Sequence, residues 1–320
     1  VIDARRIAVV IPCYRVREHV LGVIAAMPAE VDAIYVVDDA CPQQSGDLVA
    51  AECRDPRVTV LRHAENAGVG GAVMTGYQRS LADNVDIVVK IDGDGQMDPA
   101  LIPSFVRPLV AGVADYTKGN RFFWLDGLAE MPYLRLFGNA VLSFVAKLAT
   151  GYWHLMDPTN GYTAIHRTAL AALPLHRIDR RYFFESDMLF RLYTIRAVAQ
   201  DVPMRARYGN ETSSLSVRRA ALSFPGKYAN RFAKRFFYAY ILRDFNAGSA
   251  AAILGLLLVL AGGSFGAAKW IANAASGVTT TTGTVMLAAI PLLLGGHLLI
   301  SAFNFDIGNA PTRPLQSPNA

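Results

Sequence analysis

Ile87-Val88-Val89-Lys90-Ile91-Asp92-Gly93-Asp94-Gly95-Gln96 is the stretch that decides the fold. The run Ile87–Ile91 predicts a buried strand of a parallel sheet. It ends in two carboxylates one residue apart. Side chains alternate along a strand, so Asp92 and Asp94 can face the same way, and the glycines let the backbone turn tightly. Hard oxygen donors of this kind suit Mg²⁺ or Mn²⁺ bridging a diphosphate. Asp-x-Asp is also a common turn, and the residues alone leave both readings open.

Upstream, the same texture repeats. Ile7–Ile11, Ala33–Val37 and Val58–Leu61 read as further strands, with helices predicted over Glu18–Met27, Gly46–Glu52 and Gly70–Leu81. This alternation predicts an open α/β sheet, in which ligands bind beyond the carboxyl ends of the strands. Polar residues stand at each of those ends: Tyr14, then Asp38 and Asp39, then Asn66, then Asp92 and Asp94. Asn66 to Ala72 is glycine-rich and opens the longest of these helices, but Val73 stands where a dinucleotide fingerprint has its third glycine. Close backbone packing is therefore the expectation there, with nucleotide contact as the alternative.

Downstream, the last quarter of the chain is far more apolar than the rest. Ala247–Ala268 carries no charge, and Gly283–Phe303 is interrupted only by Pro291 and His297. Each has about the length of a bilayer core, with Lys269 to Thr282 as the connector. A buried hairpin in a soluble protein is the competing reading. Ahead of the first span, Tyr228, Phe232, Phe236 and Tyr240 recur every fourth residue, among Lys227, Arg231, Lys234 and Arg235. That pattern predicts a basic amphipathic helix in the headgroup region or, alternatively, a surface helix packing its aromatic face on the domain. The basic residues before the first span put both chain ends on the cytoplasmic face. The expected organisation is 1–215 as a cytoplasmic domain, 216–246 as juxtamembrane helices, 247–303 as a transmembrane hairpin and 304–320 as a cytoplasmic tail.

Composition narrows the function. The chain has 31 Lys and Arg against 26 Asp and Glu, a net charge of +5, yet no basic cluster interleaves with aromatics in its first part, so nucleic acid is not an expected partner. Three cysteines without C-x-x-C spacing argue against zinc and a disulfide framework. The six histidines lack metal spacing. No secretory signal is expected from the first residues.

Val9-Val10-Ile11-Pro12-Cys13-Tyr14, Val36-Val37-Asp38-Asp39, Asn66-x-Gly68, Asp92-Gly93-Asp94-Gly95-Gln96, Lys118-Gly119-Asn120-Arg121-Phe122 and Asp157-Pro158-Thr159-Asn160-Gly161-Tyr162 occur in that order. Together they resemble the family-two inverting glycosyltransferases with the A-type fold, a mostly parallel sheet flanked by helices. Within that family the chain is similar to the polyprenyl-phosphate branch, which includes dolichol-phosphate mannose synthases and bacterial undecaprenyl-phosphate glucosyltransferases. The resemblance covers about two hundred residues.

The resemblance implies a nucleotide sugar as donor, a polyprenyl phosphate lipid as acceptor, Mg²⁺ or Mn²⁺ as cofactor, and a homo-oligomer in the membrane. It assigns Pro12, Tyr14, Asp38 and Asp39 to base and ribose, and Asp92, Asp94 and Gln96 to the metal and donor diphosphate. Arg121 and Arg135 match positions that receive the lipid phosphate, and Arg207 one that approaches the phosphates. Two positions depart from the pattern: Arg15-Val16 replaces the usual Asn-Glu, with Glu18 as a substitute, and Asn139 stands where the branch often has serine. Small residues on the first span (Gly248, Ser249, Ala252, Gly255) suit helix association.

A phosphate acceptor, with a second pKa near ~6, is already a nucleophile and needs no general base. A relative that glycosylates a hydroxyl does need one, and Glu185 or Asp187 is the candidate. Backbone-ordering roles for these two are equally open. A lipid translocator that merely binds nucleotide is the non-enzymatic alternative, and uncharged spans make a poor transport path.

Overall fold

The computed structural model describes residues 2, 4–124, 133–205 and 217–317, without the side chains of 133–136, 139 and 217–222. In chain order the first elements are β1 (Ile7–Cys13), α1 (Val20–Ala25), β2 (Ala33–Asp38), α2 (Ser45–Glu52), β3 (Val58–Arg62), α3 (Val69–Ala82), β4 (Ile87–Lys90), α4 (Ile102–Val110) and β5 (Tyr116–Asn120). There follow α5 (Tyr133–Thr150), β6 (Thr163–His166), α6 (Arg167–Ala172), α7 (Phe184–Thr194) and β7 (Ala199–Pro203). Each strand and helix expected in the first ninety or so residues is present, with ends displaced by no more than two residues.

The sheet order is β3-β2-β1-β4-β6-β5-β7. β1 is buried at all seven positions because β2 and β4 cover both of its edges. Val9, Ile11, Ile34, Val36 and Val89 point into one apolar core with Phe105 of α4. The sheet is mostly parallel, with β6 antiparallel to both β4 and β5. That reversal positions the site. Thr163, the first residue of β6, lies opposite Lys90 at the end of β4 and opposite Lys118 of β5. The segment 157–162 is thereby delivered to the carboxyl ends of both strands.

The chain forms two compact units: Val1–Phe232 with Pro311–Ala320, and Ala233–Ala310. α8 (Val217–Phe236) runs through the boundary. Within the first unit its Tyr228 is buried, with ring centroids 4.9 Å from Phe183 and its hydroxyl 2.7 Å from that of Ser186. Lys227 pairs with Asp179, and Arg231 Nε donates to Asp187 Oδ1 at 2.5 Å. Tyr228 and Phe224 of this stretch pack on the domain while Phe232 stays exposed, and two of its cations are neutralised there. The tail returns to the same unit: Leu315 N donates to the Asp115 carboxylate at 2.9 Å, and Gln316 Nε2 to Leu109 O and Ala114 O at 2.9 and 2.7 Å.

In the second unit a π-helical segment, Phe237–Arg243, precedes α9 (Ala247–Ser276) and α10 (Thr282–Gly308). Both helices are long and apolar enough to cross a membrane. Asn246 and Ser249 close a capping box at the start of α9. The helix continues past Lys269 to Ser276 and stops at Gly277, whose φ of 63° is left-handed, so the connector is shorter than the expected one. Gly248, Gly255 and Gly262, seven residues apart, are buried in the hairpin. An ideal Cβ on Gly255 would sit 3.0 Å from Gly295 O, and one on Gly262 would sit 2.8 Å from Ala288 O. Gly248 and Gly255, read from sequence as an association stripe, thus pack within one chain. The large apolar side chains point outward, Leu257 at 59 % and Leu293 at 74 % exposure, unlike a core hairpin of a soluble protein. At one end Asp306 accepts two parallel bonds from Arg235, at 2.6 and 2.9 Å, and a third from the Tyr240 hydroxyl.

Candidate active site

The connections run from β1 outward to β2 and β3, then return to β4 on the other side of β1. A crevice opens at the carboxyl end of such a switch point. The last bond between the two strands is Ile91 N to Val10 O, at 3.1 Å, after which they part. Beyond the end of β4, on the side of β6 and β5, lies a cleft of about 150 Å³. Asp92, Asp94, Gln96, Arg121 and Glu185, all singled out from sequence, line it together with Asn160.

The floor is built from buried charge. Lys90 is 1 % exposed, with Nζ 2.8 Å from Asp92 Oδ1 and 3.6 Å from Glu185 Oε1. Burial alone would lower the Lys90 pKa, but these carboxylates outweigh it and hold the lysine above its ordinary value, hence charged. Glu185 is held above the usual carboxylate range, because burial outweighs the attraction of Lys90. Gly161 makes room for Lys90 and Asp92, since a Cβ there would collide with Lys90 Nζ and crowd Asp92 Oδ2.

Beside it, Asp157 is fully buried and accepts from Arg121 Nε and Nη2 at 2.7 and 3.0 Å. Burial would raise Asp157, but Arg121 and Lys118 outweigh it and hold the carboxyl below its ordinary value. Lys118, also buried, donates to Asn160 O, and its pKa is pushed down to about 8 by burial, partly offset by Asp157 and Glu185.

The ends of β1 and β2 form a separate group. Tyr14 is exposed, with the Arg15 guanidinium 5.4 Å from its ring centre. Asp38 accepts from Cys41 N and Gly46 N at 2.7 and 2.6 Å. Asp39 accepts from Ala67 N and Gly68 N at 2.7 and 2.8 Å, and its Oδ1 lies 2.7 Å from His63 Nδ1. Asp39 thus occupies the amide nest of the glycine-rich turn, and Gly71 N donates to Arg180 O at 3.1 Å. A Cβ on Gly68 or Gly70 would strike the 179–181 backbone, so these glycines serve close packing. Pro12 is buried at the end of β1, its carbonyl 3.5 Å from an ideal Cβ on Gly93.

Glu185 and Asp187 separate. Asp187 accepts from Arg231, from Arg191 at 3.3 Å and from Asp179 N at 2.8 Å, away from the cleft lining. Arg207 and the side chains of Arg135 and Asn139 lie outside the described residues. Lys90, Lys118 and Asp157 were not chosen from sequence as site residues. The signal was present: a lysine inside a buried β run must meet a carboxylate.

Asp92, Asp94 and the Gln96 carboxamide offer hard oxygens to one cleft. Among the described residues no group of three or more His, Cys, Asp or Glu could close around an ion. Two carboxylates with positions left for phosphate oxygens is how Mg²⁺-type sites are commonly built, so the donor set fits.

Residues 8–173, from β1 through α6, match the family described as Glycosyl transferase family 2. The chain belongs to that family. Over 206 residues this transferase is 31% identical to the undecaprenyl-phosphate mannosyltransferase of Micrococcus luteus, covering 62% of this chain and 82% of that protein. The UDP-N-acetylglucosamine–dolichyl-phosphate N-acetylglucosaminyltransferase of Methanococcus voltae is 26% identical over 216 residues, 63% and 86% of the two chains. Among solved structures, glucosyl-3-phosphoglycerate synthase of Mycobacterium tuberculosis, in complex with Mn²⁺ and UDP-glucose, superposes with a TM-score of 0.55 at 22% identity, covering 72% of this chain and 80% of that one. At that identity the likeness shows the fold: this transferase has the A-type architecture that its sequence resembles.

Proposed function

We propose that this family 2 transferase moves a hexose from a UDP- or GDP-linked sugar onto the phosphate of a polyprenyl phosphate lipid, with inversion at the anomeric carbon. The observation that carries the reading is the convergence of Asp92, Asp94 and Gln96 with Arg121 on one cleft. The acceptor class is supported by relatives named for undecaprenyl and dolichyl phosphate.

Asp92 and Asp94, with Gln96, would hold Mg²⁺ or Mn²⁺, which when bound neutralises the charge gathering on the departing nucleoside diphosphate. Pro12, Tyr14, Asp38 and Asp39 would hold base and ribose. The two aspartates already brace backbone loops, but a carboxylate offers about four lone-pair sites and can accept further bonds. Arg121 receives the acceptor phosphate, assisted by Arg135 and Asn139, and Arg207 approaches the phosphates. Asp157 takes two of the guanidinium N–H groups and so fixes the plane in which Arg121 presents the others. The lipid phosphate is the nucleophile, so alignment and charge neutralisation are what these side chains supply.

The sheet domain and both ends of the chain are assigned to the cytoplasmic face, with α9 and α10 in the bilayer. The docking of Leu315 and Gln316 on the sheet domain, after the two long apolar helices found among the described residues, supports placing the tail on the same face as that domain. Since Gly255 is occupied within the hairpin, a homo-oligomer would use other faces of these helices.

A second reading, transfer to a hydroxyl, is favoured by one observation: Glu185 lies in the cleft with its pKa raised, as suits a base. Incubation with polyprenyl phosphate, Mn²⁺ or Mg²⁺ and a panel of radiolabelled nucleotide sugars decides between them. Label in polyprenyl phosphate supports the first reading. Transfer only to a hydroxyl-bearing lipid would replace it with the second.

A further inference from the structure

Lys90 is the last residue of β4, in a run of apolar neighbours, and its ammonium is shut beneath the cleft floor at 1 % exposure. It therefore acts on a ligand only through the carboxylates it touches. Those are Asp92, at 2.8 Å, and Glu185, at 3.6 Å, both within reach of one nitrogen. Asp92 Oδ2 and Lys90 Nζ both crowd the space that a Gly161 side chain would fill, so the arrangement is built by three separate elements: β4, the 157–162 segment and α7. Asp92, Asp94 and Glu185 bring three negative charges to the cleft, and Lys90 cancels one of them from below.

We propose that Lys90 is an internal counter-cation that competes with the divalent ion for Asp92 and so makes metal binding depend on the nucleotide. The proposal rests on the reading that Asp92 and Asp94 hold the metal. A cation arriving alone must share Asp92 with an ammonium already 2.8 Å from that carboxylate, and two cations on one carboxylate repel in a partly buried site. A cation arriving with a diphosphate brings negative charge that offsets this repulsion, while Glu185 keeps the displaced ammonium paired. Lys90 is a positioning residue here: it touches neither the sugar nor the phosphates. The consequence is ordered loading, in which the bare ion is held weakly and the ion with its nucleotide firmly.

The test is Mn²⁺ binding to the full chain in detergent, followed by the EPR signal of free Mn²⁺, alone and with UDP or GDP. Lys90→Met is expected to tighten binding of Mn²⁺ alone on the order of tenfold and to shrink the gain from nucleotide. Lys90→Arg, which keeps the charge, is expected to retain the nucleotide dependence. Should Lys90→Met fail to fold because Glu185 is left buried and unpaired, the double variant Lys90→Met/Glu185→Gln substitutes for it. That pair leaves the summed charge of the cleft unchanged but frees Asp92, and it too is expected to tighten binding of Mn²⁺ alone. Unchanged or weaker Mn²⁺ binding in both variants, while Asp94→Ala abolishes binding, overturns the role of Lys90 and leaves the metal assignment standing. Mn²⁺ binding that survives Asp94→Ala overturns the metal assignment itself, and this proposal with it.

Discussion

Arg121 and Asp157 meet fork to fork, Nε to Oδ2 at 2.7 Å and Nη2 to Oδ1 at 3.0 Å, with the carboxylate out of reach of water and the guanidinium one-third exposed. The two residues lie on different segments, one after β5 and one before β6, so the pair ties two walls of the cleft together. The asymmetry of exposure makes the partners unequal. Removing the arginine strands a buried charge, whereas removing the carboxylate leaves a guanidinium that can turn to solvent.

Arg121→Ala is therefore expected to cost about 3–5 kcal/mol of stability as well as activity, read as a fall in thermal midpoint in detergent. Asp157→Asn is expected to cost clearly less stability while still lowering transfer, because Arg121 loses its fixed plane. Because Asp157 is held below its ordinary 3.8, the stability it contributes is present above that pH and is lost only as pH falls further, through its folded value. Equal destabilisation by the two variants would contradict this account.

Glu185→Gln separates the two acceptor readings. With a phosphate acceptor it is expected to lower transfer by less than about tenfold, since no proton must be removed. With a hydroxyl acceptor the loss is expected to be about 10²–10⁴-fold. Initial rates with saturating donor decide the matter.

Lys118 predicts an alkaline signature. Its pKa is lowered from 10.5 to about 8 in the folded protein, so between these values the unfolded chain binds more protons than the native one. Stability is then expected to rise with pH across that window, the burial penalty being fully present below about 8. Thermal midpoints measured from pH 7.5 to 10 should show the rise in the native chain and a flatter profile in Lys118→Met.

In the hairpin, Gly255→Val and Gly262→Val are expected to force the helices apart, each costing about 1–3 kcal/mol. Gly296→Val has open space around it and is expected to be silent. Limited proteolysis at the 277–281 connector, compared across the three variants in detergent, provides the check.

β1 to β4 were legible because β-branched runs such as Ile7–Ile11 and Ile87–Ile91 carry their own signal, and Asp92 and Asp94 because they follow one of those runs directly, whereas Arg121 was reached only through the family resemblance. β6 was not legible: Thr163-Ala164-Ile165-His166 is short, and its antiparallel place between β4 and β5 depends on pairing with residues far away in sequence. The partners of Lys90 and Lys118 were hidden for the same reason. A buried cation announces that it must be paired, but not that Glu185 or Asp157 is the group that folds back to it. In α8 the pattern of charge was plain and its destination was not, since Asp179 and Asp187 lie forty or more residues earlier.

Lys227, Arg231 and Arg235 recur at every fourth position, and each ends on a carboxylate of its own compact unit: Asp179, Asp187 and Asp306. Cations so engaged attract few anionic headgroups. Attachment to a bilayer is then expected to be insensitive to ionic strength and to the proportion of acidic lipid, depending on the apolar surface of α9 and α10 instead. High-salt washing of membranes should leave the protein in the pellet, where a peripheral protein held by a basic helix would be released.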